Sequence, residues 1–298
     1  MSIKPWIQAA RLRTLPLSVS GIIVGSAYAY YQGFSDWRIV VLALLTTLGL
    51  QVLSNYANDY GDGVKGTDAN RIGEKRLVAS GVITAEQMKK AVIITAVLTF
   101  IIALLLIYIA FGKENFALSL IFILLGIGSI GAAIKYTVGK SAYGYSGFGD
   151  LFVFIFFGLV SVVGSNFLFT HFIDWKLFLP AISIGLLSVA VLNLNNMRDI
   201  ENDKIAGKNT LVVKMGLENA KKYHEFLILT PFVLMILFSL VIKLSFYAMI
   251  LVFFILAVHL KTIKKSNKYE DFDPELKKVA LSTFALSLLF WLTLVFLN

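Results

Sequence analysis

Nine apolar runs, each about as long as a helix must be to cross a bilayer, occupy most of the chain. They fall at residues 15–31, 39–58, 88–110, 116–134, 151–170, 177–195, 224–242, 244–260 and 279–297. Inside hydrocarbon a backbone N–H or C=O finds no water, so each run must close its own hydrogen bonds as a helix. The polar stretches between runs then lie outside the lipid or line a cavity. The chain is therefore expected to be an all-α, polytopic membrane protein with nine transmembrane helices, forming one domain over residues 1–298. Composition agrees, with 58% hydrophobic and 15% charged residues, where a soluble domain carries roughly a quarter charged.

Basic residues set the expected orientation. If the nine runs cross in turn, 23 of the 27 Lys and Arg fall on one side, in residues 1–13, 61–90, 135–150, 198–222 and 261–278. Only Arg38, Lys113, Lys176 and Lys243 fall on the other. Cytoplasmic loops carry such an excess, so the N-terminus is expected inside and the C-terminus outside. The net charge of +9 then follows from basic loops beside anionic lipid and calls for no nucleic acid. The chain has no cysteine, which excludes disulfides, thiolate metal sites and a cysteine nucleophile. His171, His224 and His259 are scattered, without the spacing of a zinc or haem site. Gly21-x-x-x-Gly25 reads as helix packing, and Trp6, Trp37 and Trp175 as anchors at the membrane interface.

Two polar segments stand apart. At the end of the second run the chain reads Asn55-Tyr-Ala-Asn58-Asp59-Tyr-Gly-Asp62, and at the end of the sixth Asn195-Asn-Met-Arg198-Asp199-Ile-Glu-Asn-Asp203. Asn58-x-x-x-Asp62 recurs as Asn195-x-x-x-Asp199, which reads as a parallel repeat of two four-helix halves with a ninth helix appended. On a helix, positions 55, 59 and 62 share one face with Asn58 beside them, and 195, 199 and 203 form a second stripe. An acid at a helix C-terminus meets the negative end of the dipole and costs about 0.3–1 kcal/mol. Several there, beside a bilayer, call for a cation. Carboxylate and amide oxygens suit magnesium, which binds through one or two carboxylates plus substrate phosphates. Asn58, Asp59, Asp62, Asn195, Asp199 and Asp203 are the candidate metal ligands. Lys65, Arg71, Arg76, Arg198 and Lys208 are the candidate contacts to a diphosphate. Asp62, Asp199, Lys208 and Arg76 are the candidate catalytic set, with the two cations stabilising charge on a departing group. The same acids are also compatible with a transporter or ion carrier.

These segments resemble the UbiA superfamily of intramembrane aromatic prenyltransferases. Asn55 to Asp68 and Asn195 to Thr210 are similar to its menaquinone branch, the 1,4-dihydroxy-2-naphthoate polyprenyltransferases. Arg11-Leu-Arg13-Thr14-Leu-Pro-Leu-Ser18, Arg71-Ile-Gly73 with Arg76 to Gly81, and Tyr136 to Asp150 extend the likeness over nearly the whole chain. One departure stands out: where many relatives place a further Asp, this chain has Gly66, with Asp68 as the nearest substitute. The resemblance implies helices around a central cavity in a bacterial cell membrane, with a polyprenyl diphosphate held by Mg2+ near the cytoplasmic mouth. The ring of 1,4-dihydroxy-2-naphthoate would attack the allylic carbon, and carbon dioxide and diphosphate would leave to give demethylmenaquinol. Within the class, 4-hydroxybenzoate is the alternative acceptor.

Overall fold

A computed structural model describes residues 3–67, 76–139, 142–245, 247–266 and 268–296. Among these residues it is all helix, with no strand. A short α1 (Lys4–Ala10) precedes α2 (Leu15–Tyr31), α3 (Trp37–Lys65), α4 (Ala85–Phe111) and α5 (Phe116–Lys135). A second series follows. It begins with α6 (Gly149–Val153), a π-helical stretch (Phe154–Gly164) and α7 (Ser165–Thr170), which run on as one rod, and continues with α8 (Phe178–Arg198). Two short helices, α9 (Ile200–Ile205) and α10 (Leu211–Met215), lead into α11 (Leu217–Ile242) and α12 (Met249–Lys265), and α13 (Phe272–Phe296) follows. In sequence order, α2 to α5 are followed by the 149–170 rod, α8, α11 and α12, and then by α13.

Among the described residues, seven helices are long and apolar enough to span a bilayer, so the protein is a polytopic membrane protein. The expected count of nine is not confirmed. Helices α2 and α12 have 17 residues each, about 25 Å at 1.5 Å per residue, short of a hydrocarbon core of about 30 Å.

Local sequence explains the ends. Asp36 caps α3 by accepting from the Arg38 N–H (2.9 Å), and Thr84 with Gln87 forms a capping box on α4. Gly66 closes α3 at φ 71°, left-handed backbone that glycine adopts without a Cβ penalty. An acid in its place would strain the turn.

Packing is organised around α8, whose span is 67% buried, against none of α5. Close approach of backbones fixes its neighbours. A Cβ on Gly158 would lie 2.8 Å from the Ala181 carbonyl oxygen, and one on Gly25 2.3 Å from that of Val162. Gly21 and Gly25 of α2 therefore meet the 149–170 rod as a small-residue seam. The scattered histidines turn out differently from the sequence expectation. His224 of α11 and His259 of α12 are fully buried with their Nε2 atoms 2.7 Å apart. His259 Nδ1 meets Glu275 of α13, and His224 Nδ1 lies 3.2 Å from Asn193 Oδ1 of α8. Histidines 35 residues apart meet because successive antiparallel helices bring them to one level, and no zinc-like cluster results among the described residues.

Candidate active site

The C-terminal ends of α3 and α8 and the start of α2 open on one cavity of about 830 Å³. Its charged groups lie at that end. Farther in, the wall is apolar, with Ile22, Leu106, Phe122, Phe156, Phe167 and Leu168 among its residues.

On the α3 side the cavity stripe is Asn55, Asn58 and Asp62. Asn55 is anchored by donating from Nδ2 to the Ala10 carbonyl (2.8 Å) and Thr14 Oγ1 (3.1 Å). Asn58 Oδ1 accepts from Thr137 Oγ1 at 3.1 Å. Asp62 is 2% exposed and heavily engaged. It accepts from Arg76 Nη2 (2.9 Å), Lys208 Nζ (3.1 Å), Tyr145 Oη (2.6 Å) and Thr67 Oγ1 (3.3 Å).

Asp59 departs from expectation. Its two oxygens accept from the backbone N–H groups of Leu77 (3.0 Å) and Val78 (2.9 Å), and it does not line the cavity. At 40° around the helix from Asn55 it faces the returning loop, so in this structure its carboxylate clasps the backbone of Leu77 and Val78 and is turned away from the cavity.

On the α8 side Asn195, Asp199 and Asp203 all line the cavity, although the helix breaks at Asp199 between α8 and α9. Arg198 corrects a second expectation. It is 1% exposed and does not line the cavity. Its Nε and Nη2 each donate to an Asp199 oxygen at 2.8 Å, Nη2 also donates to Asn195 Oδ1 (2.8 Å), and Nη1 pairs with Asp273 of α13. Arg13 reaches the other Asp273 oxygen at 3.4 Å. In this structure the guanidinium holds the second motif and is turned away from the cavity.

The remaining cations divide. Arg76 and Lys208 line the cavity and bind Asp62. Lys65 is exposed and lies outside the lining, donating to the Thr137 carbonyl at 2.8 Å. Arg71 and Asp68 lie outside the described residues. The two motifs are tied across the mouth by Lys208 to Asp62 and by Asn202 Nδ2 donating to the Thr67 carbonyl (3.0 Å).

Sequence reasoning missed Tyr145, Thr67 and Asp273. None carries a local signal: Tyr145 is one of several loop tyrosines, and Asp273 reads as an ordinary first-turn acid of α13. Tyr136, also on the lining, is pushed well above the ordinary phenol range by burial and by the Asp150 carboxylate, so it stays a neutral donor.

Among the described residues no three carboxylates or histidines converge on a point. The donor set nonetheless suits magnesium. It is all oxygen, with one or two carboxylates from each motif facing shared space, which is how an ion completed by water and phosphate is bound.

Comparison with known proteins places these features. The model of the UbiA prenyltransferase family matches residues 18–289. A 1,4-dihydroxy-2-naphthoate octaprenyltransferase of Escherichia coli (strain K12) is 49% identical over 236 residues, covering 79% of this chain and 76% of that protein. One from Haemophilus influenzae is 42% identical over 299 residues, covering 98% and 96%. The fold matches the structure of a UbiA homolog from Archaeoglobus fulgidus bound to GPP and Mg2+, with TM-score 0.61, 15% identity and coverage of 94% of this chain and 98% of that one.

Proposed function

Because this chain belongs to the UbiA prenyltransferase family, we propose that it transfers the polyprenyl group of a polyprenyl diphosphate to 1,4-dihydroxy-2-naphthoate, releasing carbon dioxide and diphosphate and giving demethylmenaquinol for menaquinone biosynthesis. The observation that carries this reading is one cavity with two Asn/Asp motifs at its mouth, the cations Arg76 and Lys208 beside them, and a largely apolar wall beyond. Relatives named for that reaction align over most of the chain.

Each part of the site has a role. Lys208 and Arg76 offer their N–H donors to the diphosphate oxygens and stabilise the charge that grows as the allylic C–O bond breaks. Asn58, Asp62, Asn195, Asp199 and Asp203 are the residues that would hold magnesium. When bound, that ion supplies neutralisation of the diphosphate and so a better leaving group. Arg198, itself away from substrate, fixes Asp199 and Asn195 in position. The apolar wall takes the prenyl chain and excludes water, which would otherwise capture the activated donor. Attack comes from the acceptor's own electron-rich ring, so no enzymic nucleophile is required.

The excess of basic residues in the loops beside the mouth supports a cytoplasmic mouth, with the N-terminus inside and the C-terminus outside a bacterial inner membrane, and the chain acting as one prenyltransferase domain. The test is prenyl transfer by purified protein in lipid, with magnesium and either 1,4-dihydroxy-2-naphthoate or 4-hydroxybenzoate, repeated with chelator. Magnesium-dependent product from the naphthoate alone is expected. Product only from hydroxybenzoate would reassign the acceptor. No product from folded protein would remove the reaction and reopen the transporter reading.

A further inference from the structure

Tyr145 joins three charged groups that the sequence scatters. It sits in the 3-10 turn Tyr143–Tyr145 between α5 and α6. Its hydroxyl donates to Asp62 Oδ1 at 2.6 Å, and two ammonium groups lie against its ring, Lys65 Nζ at 4.0 Å and Lys208 Nζ at 4.8 Å from the centroid. The turn is held in place. Asn209 N–H, one residue beyond Lys208, donates to the Tyr145 carbonyl (2.9 Å), and Lys214 Nζ donates to the Ser146 carbonyl (2.8 Å). Tyr143 stacks on Phe152 with centroids 4.0 Å apart.

Two cations this close repel one another, and a shared aromatic ring offsets that repulsion. Asp62 poses the complementary problem. If Lys208 and Arg76 turn toward a diphosphate, its buried carboxylate loses its charged partners, and uncompensated it would be costly. The hydroxyls of Tyr145 and Thr67 are neutral and have no reason to leave with them.

We propose that Tyr145 is a positioning residue of the diphosphate site. Its ring is the shelf that holds Lys208 toward the cavity and brings exposed Lys65 into the site's charge set. Its hydroxyl keeps Asp62 in place while the cations change partners. This rests on the prenyl-diphosphate reading above and is tested so that the two fail separately.

The experiment is calorimetric binding of farnesyl diphosphate to the protein in lipid nanodiscs, with and without magnesium, for wild type, Tyr145→Phe and Tyr145→Leu, alongside KM and kcat for donor and acceptor. Phe keeps the ring and loses one charge-assisted hydrogen bond, so binding is expected to weaken about tenfold. Leu also loses the cation–π shelf and is expected to weaken it about 50-fold. Donor KM rises in step while acceptor KM holds. Lys65→Met then weakens binding in wild type and in Tyr145→Phe but adds nothing in Tyr145→Leu, the non-additivity of groups that act through one another. Wild-type affinity in both Tyr145 variants, or an undiminished Lys65→Met effect in Tyr145→Leu, would overturn the assignment and leave the functional reading intact. Absence of binding by wild type with magnesium would overturn the functional reading, and this inference with it. Where Tyr145→Leu does not fold, Tyr145→Phe decides: unchanged affinity overturns the assignment.

Discussion

Arg198→Met separates holding a motif from touching a substrate. The substitution removes four hydrogen bonds, two to Asp199, one to Asn195 and one to Asp273. Asp199 is 5% exposed, so its half of the network is a buried pair broken on one side, about 3–5 kcal/mol. The Asp273 side chain is 38% exposed; water screens that half, which adds at most about 1 kcal/mol. Melting of ligand-free protein in nanodiscs is expected to fall. Turnover is expected to drop by about two orders of magnitude, since each 1.4 kcal/mol of misplacement at the reacting centre is about tenfold in rate. Pairing the change with Asp199→Asn removes the bare carboxylate and is expected to recover most of the lost stability, but none of the turnover. If Arg198→Met instead melts as wild type and only raises the donor KM, the guanidinium meets the diphosphate directly and the holding role is refuted.

Three further outcomes follow from the geometry. Asp59→Asn is expected to lower stability by about 1–3 kcal/mol, because one backbone N–H of the clasped loop loses its acceptor, while the magnesium midpoint of the reaction stays put; a shifted midpoint would return Asp59 to the metal site. Gly25→Ala places a methyl 2.3 Å from the Val162 carbonyl oxygen and is expected to cost about 1–3 kcal/mol, read as a lower melting temperature; unchanged melting would mean that the seam yields. Asp62→Ala and Asp199→Ala are each expected to abolish transfer in folded protein, as chelator does to wild type, and retained transfer in either would remove that motif from the mechanism.

The helices were legible because hydrocarbon leaves the backbone no other choice. The run expected at 15–31 is helix α2, Leu15–Tyr31, to the residue. The run expected at 244–260 is displaced to Met249–Lys265. Leu244 is apolar but belongs to the turn after Lys243, which ends α11 in the left-handed region at φ 57°, and hydropathy does not register a turn. The second motif was legible as a stripe because its three positions keep one facing through the break at Asp199. The first was legible only in part, since whether Asp59 or Asn58 looks inward is decided by where residues 76–80 fold back. The network around Arg198 was illegible for a similar reason. Its partner Asp273 arrives from α13, 75 positions away, and nothing near residue 198 announces it.

The cavity joins a charged mouth to a greasy wall, and that asymmetry bears on how a cycle ends. The donor is anchored by its diphosphate. In the proposed reaction, once the new carbon–carbon bond forms, the lipid product no longer carries the diphosphate assigned to Lys208, Arg76 and the two acidic motifs. Its remaining attraction is to apolar side chains, and bilayer hydrocarbon offers much the same. Departure of the lipid is therefore close to thermoneutral, whereas departure of diphosphate must break charge-assisted contacts. The inorganic product, rather than the quinol, is the one expected to linger and to inhibit turnover by competing with the next donor.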